Sequence, residues 1–140
     1  MSDTLPDLAF VQQALEAAPF HRWLGLTVTE IGATEIKLSM PWRDEVVSNP
    51  KLQATHGGVL AALIDLTGFY ALIATGKVPL ATADLRVDFH QLALPGRLTI
   101  VGRVVRRGST LSVAEANVFN SAGDLLSSGR GAYRMLRPSP

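Results

Sequence analysis

Hydrophobic residues recur along the chain in two rhythms. Over residues 6–19 (PDLAFVQQALEAAP), Leu8, Val11, Leu15 and Ala18 stand at helical spacing, with Asp3 or Thr4 placed to cap the first turn. After Pro19 the period shortens to that of strands. The stretches 24–32 (LGLTVTEIG) and 34–42 (TEIKLSMPW) alternate and meet at Gly32-Ala33, which predicts a hairpin. Residues 45–55 (EVVSNPKLQAT) have the Asn-Pro pair and polar content of a loop. Further strand-like stretches cover 80–90, 97–108, 111–120 and 125–136, punctuated by Pro95-Gly96, Gly108-Ser109 and Ser121-Ala122-Gly123-Asp124.

Between the loop and these strands lies a run that follows neither rhythm. From Gly57 to Ala74 the chain reads GGVLAALIDLTGFYALIA, and Asp65 is its only ionisable side chain. A helix apolar on every side must be buried. The run is about long enough to span a bilayer. The carboxylate at its centre, the glycines that open it and the ordinary strands on either side predict instead the core helix of a globular domain, ending near Gly76. Strands gathered on one side of a single buried helix, with short loops between them, predict an α+β fold: an antiparallel sheet wrapped around that helix. The 140 residues fit one domain, with residues 1–20 an N-terminal helical segment and 137–140 a frayed tail.

Composition narrows the function classes. A hydrophobic share of 47% against 18% charged residues argues for a packed core. A net charge of +1 without a basic stripe gives no electrostatic case for nucleic acid. The absence of cysteine excludes disulfides and thiolate chemistry. The three histidines are scattered, with no metal-binding spacing, so no metal site is expected. The opening MSDTLPDLAF lacks the charged and apolar regions of a secretory signal, so the expected compartment is the cytoplasm.

Asp65 is then the first candidate for chemistry, since an unpaired carboxylate in an apolar helix carries a cost on the order of several kcal/mol. The second is Gly57. A glycine at a helix start lets a carbonyl oxygen approach a backbone amide that has no helical partner, at the positive end of the helix dipole. That is an oxyanion site. Asp65 lies eight residues further along, about 12 Å at 1.5 Å per residue. An attacking group and an oxyanion donor must both stand within about 3 Å of one reacting centre. One helix cannot supply both, whereas two copies related by a two-fold axis can pair Gly57 of one with Asp65 of the other.

The stretch NPKLQATHGGVLAALIDLTG resembles the signature of hotdog-fold acyl-CoA thioesterases of the PaaI-like type, related to 4-hydroxybenzoyl-CoA thioesterase. TADLRVDF and VVRRGSTLSVAEANVFNSAGDLLSSGRGAYRML extend the resemblance over roughly residues 20–136. It implies that the Gly57 amide polarises the thioester carbonyl and that Asp65 of the neighbouring subunit is nucleophile or general base. By the same resemblance His56 holds the thioester end beside Gly58, Thr82 helps place the attacking water, and Asn49 or Gln53 contacts the reacting end. The family's Asn commonly stands six residues before the histidine, and Asn49 stands seven before His56.

The family also implies a homodimer that forms the active site, assembled into a homotetramer. Its substrate carries coenzyme A and its reaction needs no other cofactor. Arg106, Arg107 and Gly108 are the expected grip on the coenzyme A phosphates, with His90 and Arg130 as further candidates and Phe69 lining the acyl pocket. The expected reaction is hydrolysis of an aryl- or short-to-medium-chain acyl-CoA to free acid and coenzyme A. Two alternatives use the same fold: an acyl-CoA hydratase or dehydratase, and a non-catalytic acyl-CoA-binding protein. His21, Trp23 and Trp42 are expected to be structural.

Overall fold

The computed structural model describes residues 4–137, so Asp3 and residues 138–140 of the expected tail lie outside it. Helix α1 (Leu8–Glu16) is capped by Asp7, whose carboxylate accepts from the Phe10 amide at 2.8 Å. The cap therefore falls at neither expected position: Asp7 stands immediately before the helix and three residues from the amide it binds. A second helix, α2 (Pro19–Leu24), occupies the place where the first strand was expected to begin. Pro19, read from sequence as the end of helical structure, instead starts a new helix, because its fixed φ and missing N–H suit a first helical position. Gly25, at φ +71°, closes it in the left-handed conformation that glycine adopts without strain.

The expected hairpin follows as β1 (Thr27–Ile31) and β2 (Glu35–Met40), paired antiparallel and closed by the Gly32 amide donating to the Glu35 carbonyl at 2.8 Å. The 45–55 segment is more ordered than a plain loop. It holds a 3₁₀ turn (Asp44–Val46) and a miniature hairpin of β3 (Val47–Asn49) and β4 (Ala54–Thr55). The apolar run is α3 (Gly57–Ala74), and after it come β5 (Pro79–Phe89), β6 (Leu98–Arg106), β7 (Leu111–Phe119) and β8 (Leu125–Met135).

Six strands form one sheet in the order β1-β2-β6-β7-β8-β5, every neighbouring pair antiparallel. The face toward α3 carries Leu38, Ile100, Ala114, Ala116 and Val118, all buried, against Leu60, Leu63, Ile64 and Leu72 of the helix. Helix α3, long and apolar enough to cross a membrane, is thus the core helix around which the sheet wraps. This is the hotdog fold.

Two local features set how α3 sits. At its start, His56 Nδ1 accepts from the Gly58 amide at 2.9 Å, a side-chain cap on one of the orphan donors of the helix. On β6, a Cβ at Gly102 would stand 2.8 Å from Thr67 Cγ2 and 2.9 Å from the Thr67 carbonyl oxygen, so glycine is what lets the helix backbone approach the sheet. Gly102→Ala is therefore expected to lower the unfolding free energy by about 1–3 kcal/mol. Gly32→Ala, whose added methyl would meet nothing closer than 3.9 Å, should stay within about 0.5 kcal/mol of the parent in the same urea titration. His56→Ala should cost about 1 kcal/mol through the lost cap, and His56→Ser should recover most of it.

Candidate active site

Asp65 does not point into the core. The side chain is half-buried and leaves α3 on the side facing β5, where its Oδ1 accepts from Thr82 Oγ1 at 2.6 Å. The sequence pictured a carboxylate enclosed by apolar residues. The structure corrects this: a partnered, partly solvated carboxylate avoids most of the cost of burial. It stands at the wall of a cavity of about 370 Å³ that His21, Phe69, Tyr70, Ala81 and Thr82 also line. Phe69 lies one helical turn beyond Asp65, which puts both on the same face of α3.

The cavity has aromatic walls held from behind. Tyr70 donates to the Ala14 carbonyl at 3.1 Å, and burial pushes its phenol above the ordinary range, so it remains a donor. His21 meets Tyr70 edge-on with ring centroids 5.6 Å apart, and its Nδ1 lies 2.9 Å from the Leu15 carbonyl, so Nδ1 carries the proton. Sequence reasoning set His21 aside as structural. It comes from α2, more than forty residues before Asp65, and no spacing links the two.

The other cluster lies at the N-terminus of α3. Because His56 Nδ1 accepts from Gly58, the neutral ring carries its proton on Nε2, and the imidazole is exposed. No acceptor binds the Gly57 amide among the described residues. A Cβ at Gly57 would meet the Phe89 ring at 3.4 Å, so the last residue of β5 stands beside this helix end. The structure thus brings Asp65, Thr82 and Phe69 together, and separately His56, Gly57 and Gly58. Within one chain the two sets remain about 12 Å apart along α3.

Asn49 and Gln53 belong to neither set. Asn49 Oδ1 accepts from the Lys51 and Leu52 amides at 3.0 and 3.3 Å, while Gln53, at φ +56°, donates from Nε2 to the Pro50 carbonyl at 2.7 Å. Both side chains bind within the exposed turn between β3 and β4. Arg106 and Arg107 are exposed at the end of β6, next to Gly108, whose amide donates to Ser112 Oγ at 3.0 Å. A Cβ at Gly108 would run into the Leu111 carbonyl, so the tight turn requires glycine. His90 is exposed with its Nε2 2.7 Å from Ser128 Oγ, and Arg130 lies 3.7 Å from Glu115.

Comparison with known proteins identifies the family and the fold. Residues 52–127 match the family model described as the thioesterase superfamily, a stretch that includes α3 and most of the sheet. An X-ray structure of a protein from the thioesterase superfamily is 40% identical, with a TM-score of 0.87, and the match covers 93% of this chain and 98% of that one. Acyl-coenzyme A thioesterase 13 of Mus musculus is 29% identical over 134 residues, covering 93% of this chain and 95% of the mouse protein. The PaaI protein of the Escherichia coli phenylacetic acid degradation operon shares the fold at a TM-score of 0.77 and 22% identity, covering 90% of this chain and 93% of that one. The chain belongs to the thioesterase superfamily and is a thioester hydrolase of the hotdog fold.

Proposed function

We propose that the protein hydrolyses acyl-CoA thioesters in a site shared by two copies of the chain. The observation that carries this reading is the double attachment of β5. Near one end its Thr82 binds Asp65, and at the other its Phe89 stands beside Gly57. The strand is an edge of the sheet, eleven residues long and largely exposed, with Leu80 and Phe89 presenting apolar side chains. Such an edge is a template for pairing. If β5 pairs with β5 of a second copy about a two-fold axis, the strands run antiparallel. The Phe89 end of one then meets the Thr82 end of the other. Gly57 of each copy comes to Asp65 of its partner, and the interface is isologous.

In that site the Gly57 amide and the helix dipole receive the negative charge that develops on the thioester oxygen, an effect worth about 3–4 kcal/mol per donor. Thr82 holds the carboxylate of Asp65 toward the acyl carbon. Asp65 acts in one of two ways. As nucleophile it displaces coenzyme A as its thiolate and leaves a mixed anhydride for water to open. As general base it takes a proton from the water that attacks. His56, with Nε2–H exposed beside Gly57, is placed to donate to the thioester end of the substrate. Phe69, Tyr70 and His21 wall the acyl cavity, whose aromatic lining suits aryl or short-to-medium acyl groups. Arg106 and Arg107 are the proposed contacts to the coenzyme A phosphates, with His90 and Arg130 as secondary candidates. The name of the mouse relative, an acyl-coenzyme A thioesterase, supports the substrate class. A homotetramer made of two such dimers, working in the cytoplasm, completes the proposal.

Release of free thiol from a panel of aryl- and alkyl-CoA esters tests the reading. Turnover should fall by about two orders of magnitude or more in Asp65→Asn. Absence of turnover on every ester, by folded protein that still binds them, would overturn it. Thr82→Val should lower kcat/KM about tenfold, while Thr82→Ser, which keeps the hydroxyl, should stay close to the parent.

A further inference from the structure

The sheet register places Tyr133 of β8 directly opposite Thr82 of β5. Cross-strand partners face the same side of a sheet, so both side chains aim at α3, and both reach the same residue of it. Thr82 Oγ1 donates to the Asp65 carboxylate at 2.6 Å, and the Tyr133 hydroxyl donates to the Asp65 backbone carbonyl at 2.8 Å. We propose that Tyr133 is a positioning residue: with Thr82 it grips Asp65 at two points and fixes the height and rotation of the helix turn that presents the carboxylate. This rests on the reading of Asp65 as the catalytic carboxylate.

The grip is built into three elements. Tyr133 is fully buried, and its hydroxyl reaches the helix backbone through a slot between two glycines. A Cβ at Gly68 of α3 or at Gly131 of β8 would run into the Tyr133 hydroxyl oxygen. The ring meets Phe69 edge-on, with centroids 6.0 Å apart at 74°, so the side chain that grips Asp65 also backs a wall of the acyl cavity. Burial, with the charge of Asp65 adding to it, holds the phenol well above its ordinary range, so the group stays a donor.

A buried tyrosine needs an acceptor for its hydroxyl, and a purely structural role would end there. The Asp65 carbonyl, however, faces the next helical turn, where the Phe69 amide is its regular partner. It therefore has no need of a second donor. The distinguishing feature is that two neighbouring strands hold one residue, one by its side chain and the other by its backbone. Loss of the hydroxyl frees the turn to shift, and a displacement of about 1 Å in reacting geometry costs up to about 100-fold in rate.

The test is a double-mutant cycle of Tyr133→Phe and Asp65→Asn, read by thiol release at saturating and limiting ester, with thermal unfolding of each variant. Tyr133→Phe keeps the ring and should lower kcat about tenfold, with KM within about twofold of the parent. In the Asp65→Asn background the same change should cost less than about twofold, because Tyr133 acts through Asp65. A Tyr133→Phe enzyme with parental kcat, whatever its melting temperature, overturns the proposal, and so does an equal loss in both backgrounds. If Asp65→Asn has no activity to measure, kcat of the single Tyr133→Phe variant decides. Full activity of Asp65→Asn would instead remove the catalytic reading itself, independently of Tyr133.

Discussion

Burial of α3 against the sheet is the interaction on which the rest of the structure depends. Each leucine or isoleucine taken out of water there contributes about 1.5–3 kcal/mol, and Leu60, Leu63, Ile64 and Leu72 are all buried on the helix. The gain requires that the helix backbone come close to the strands. Gly102 beneath Thr67, Gly129 beneath Ile64, and the glycines around the Tyr133 hydroxyl are among the places where a side chain would hold it off. The same close seat turns the helix into a rigid ruler. Its N-terminus and its single carboxylate are held at a fixed separation of about 12 Å, and no local adjustment can bring them to one substrate.

On the proposed reading, assembly resolves that constraint. β5 touches both ends of the ruler, through Thr82 at Asp65 and Phe89 at Gly57. An edge strand is ordinarily a hazard that a protein conceals. Here its exposed length gives a two-fold pairing that exchanges the ends, so the strand that completes the sheet also completes the site. Catalytic power then comes from placing a helix-end amide and an oriented carboxylate on opposite sides of one carbonyl, and neither group needs unusual chemistry of its own.

Much of this architecture is legible in the sequence, because the signals are periodic. The apolar 57–74 run is α3, which ends at Ala74, two residues before the Gly76 expected, and the alternating stretches give the six strands of the sheet within a few positions. What the sequence hides is whatever depends on contacts between distant segments. Pro19 reads as a stop and proves to be a helix start, since the two uses of proline differ only in the conformation of the residues after it. Asp65 reads as enclosed, because composition does not say which side of a buried helix meets the edge of a sheet. His21 and Tyr133 carry no local signal at all: one arrives from α2, the other from a strand near the end of the chain. In the Asn49-to-Gln53 turn, Asn49 Oδ1 and Gln53 Nε2 are taken up by local hydrogen bonds, a commitment that residue type alone does not reveal.

The most direct test of a shared site is subunit complementation. Gly57→Pro removes the amide hydrogen at a first helical position, where proline is tolerated, and the Cβ it adds would stand 3.4 Å from the Phe89 ring, an ordinary contact. His56 before it already has ψ 130°, a conformation compatible with a following proline. Gly57→Pro and Asp65→Asn homodimers should each be nearly inactive toward acyl-CoA. Random mixing makes half the dimers mixed and leaves one of their two sites intact, so the co-assembled pair should recover about a quarter of parental activity. Mixed dimers that form and recover nothing would contradict the account, because they would place the amide and the carboxylate of each site in the same subunit.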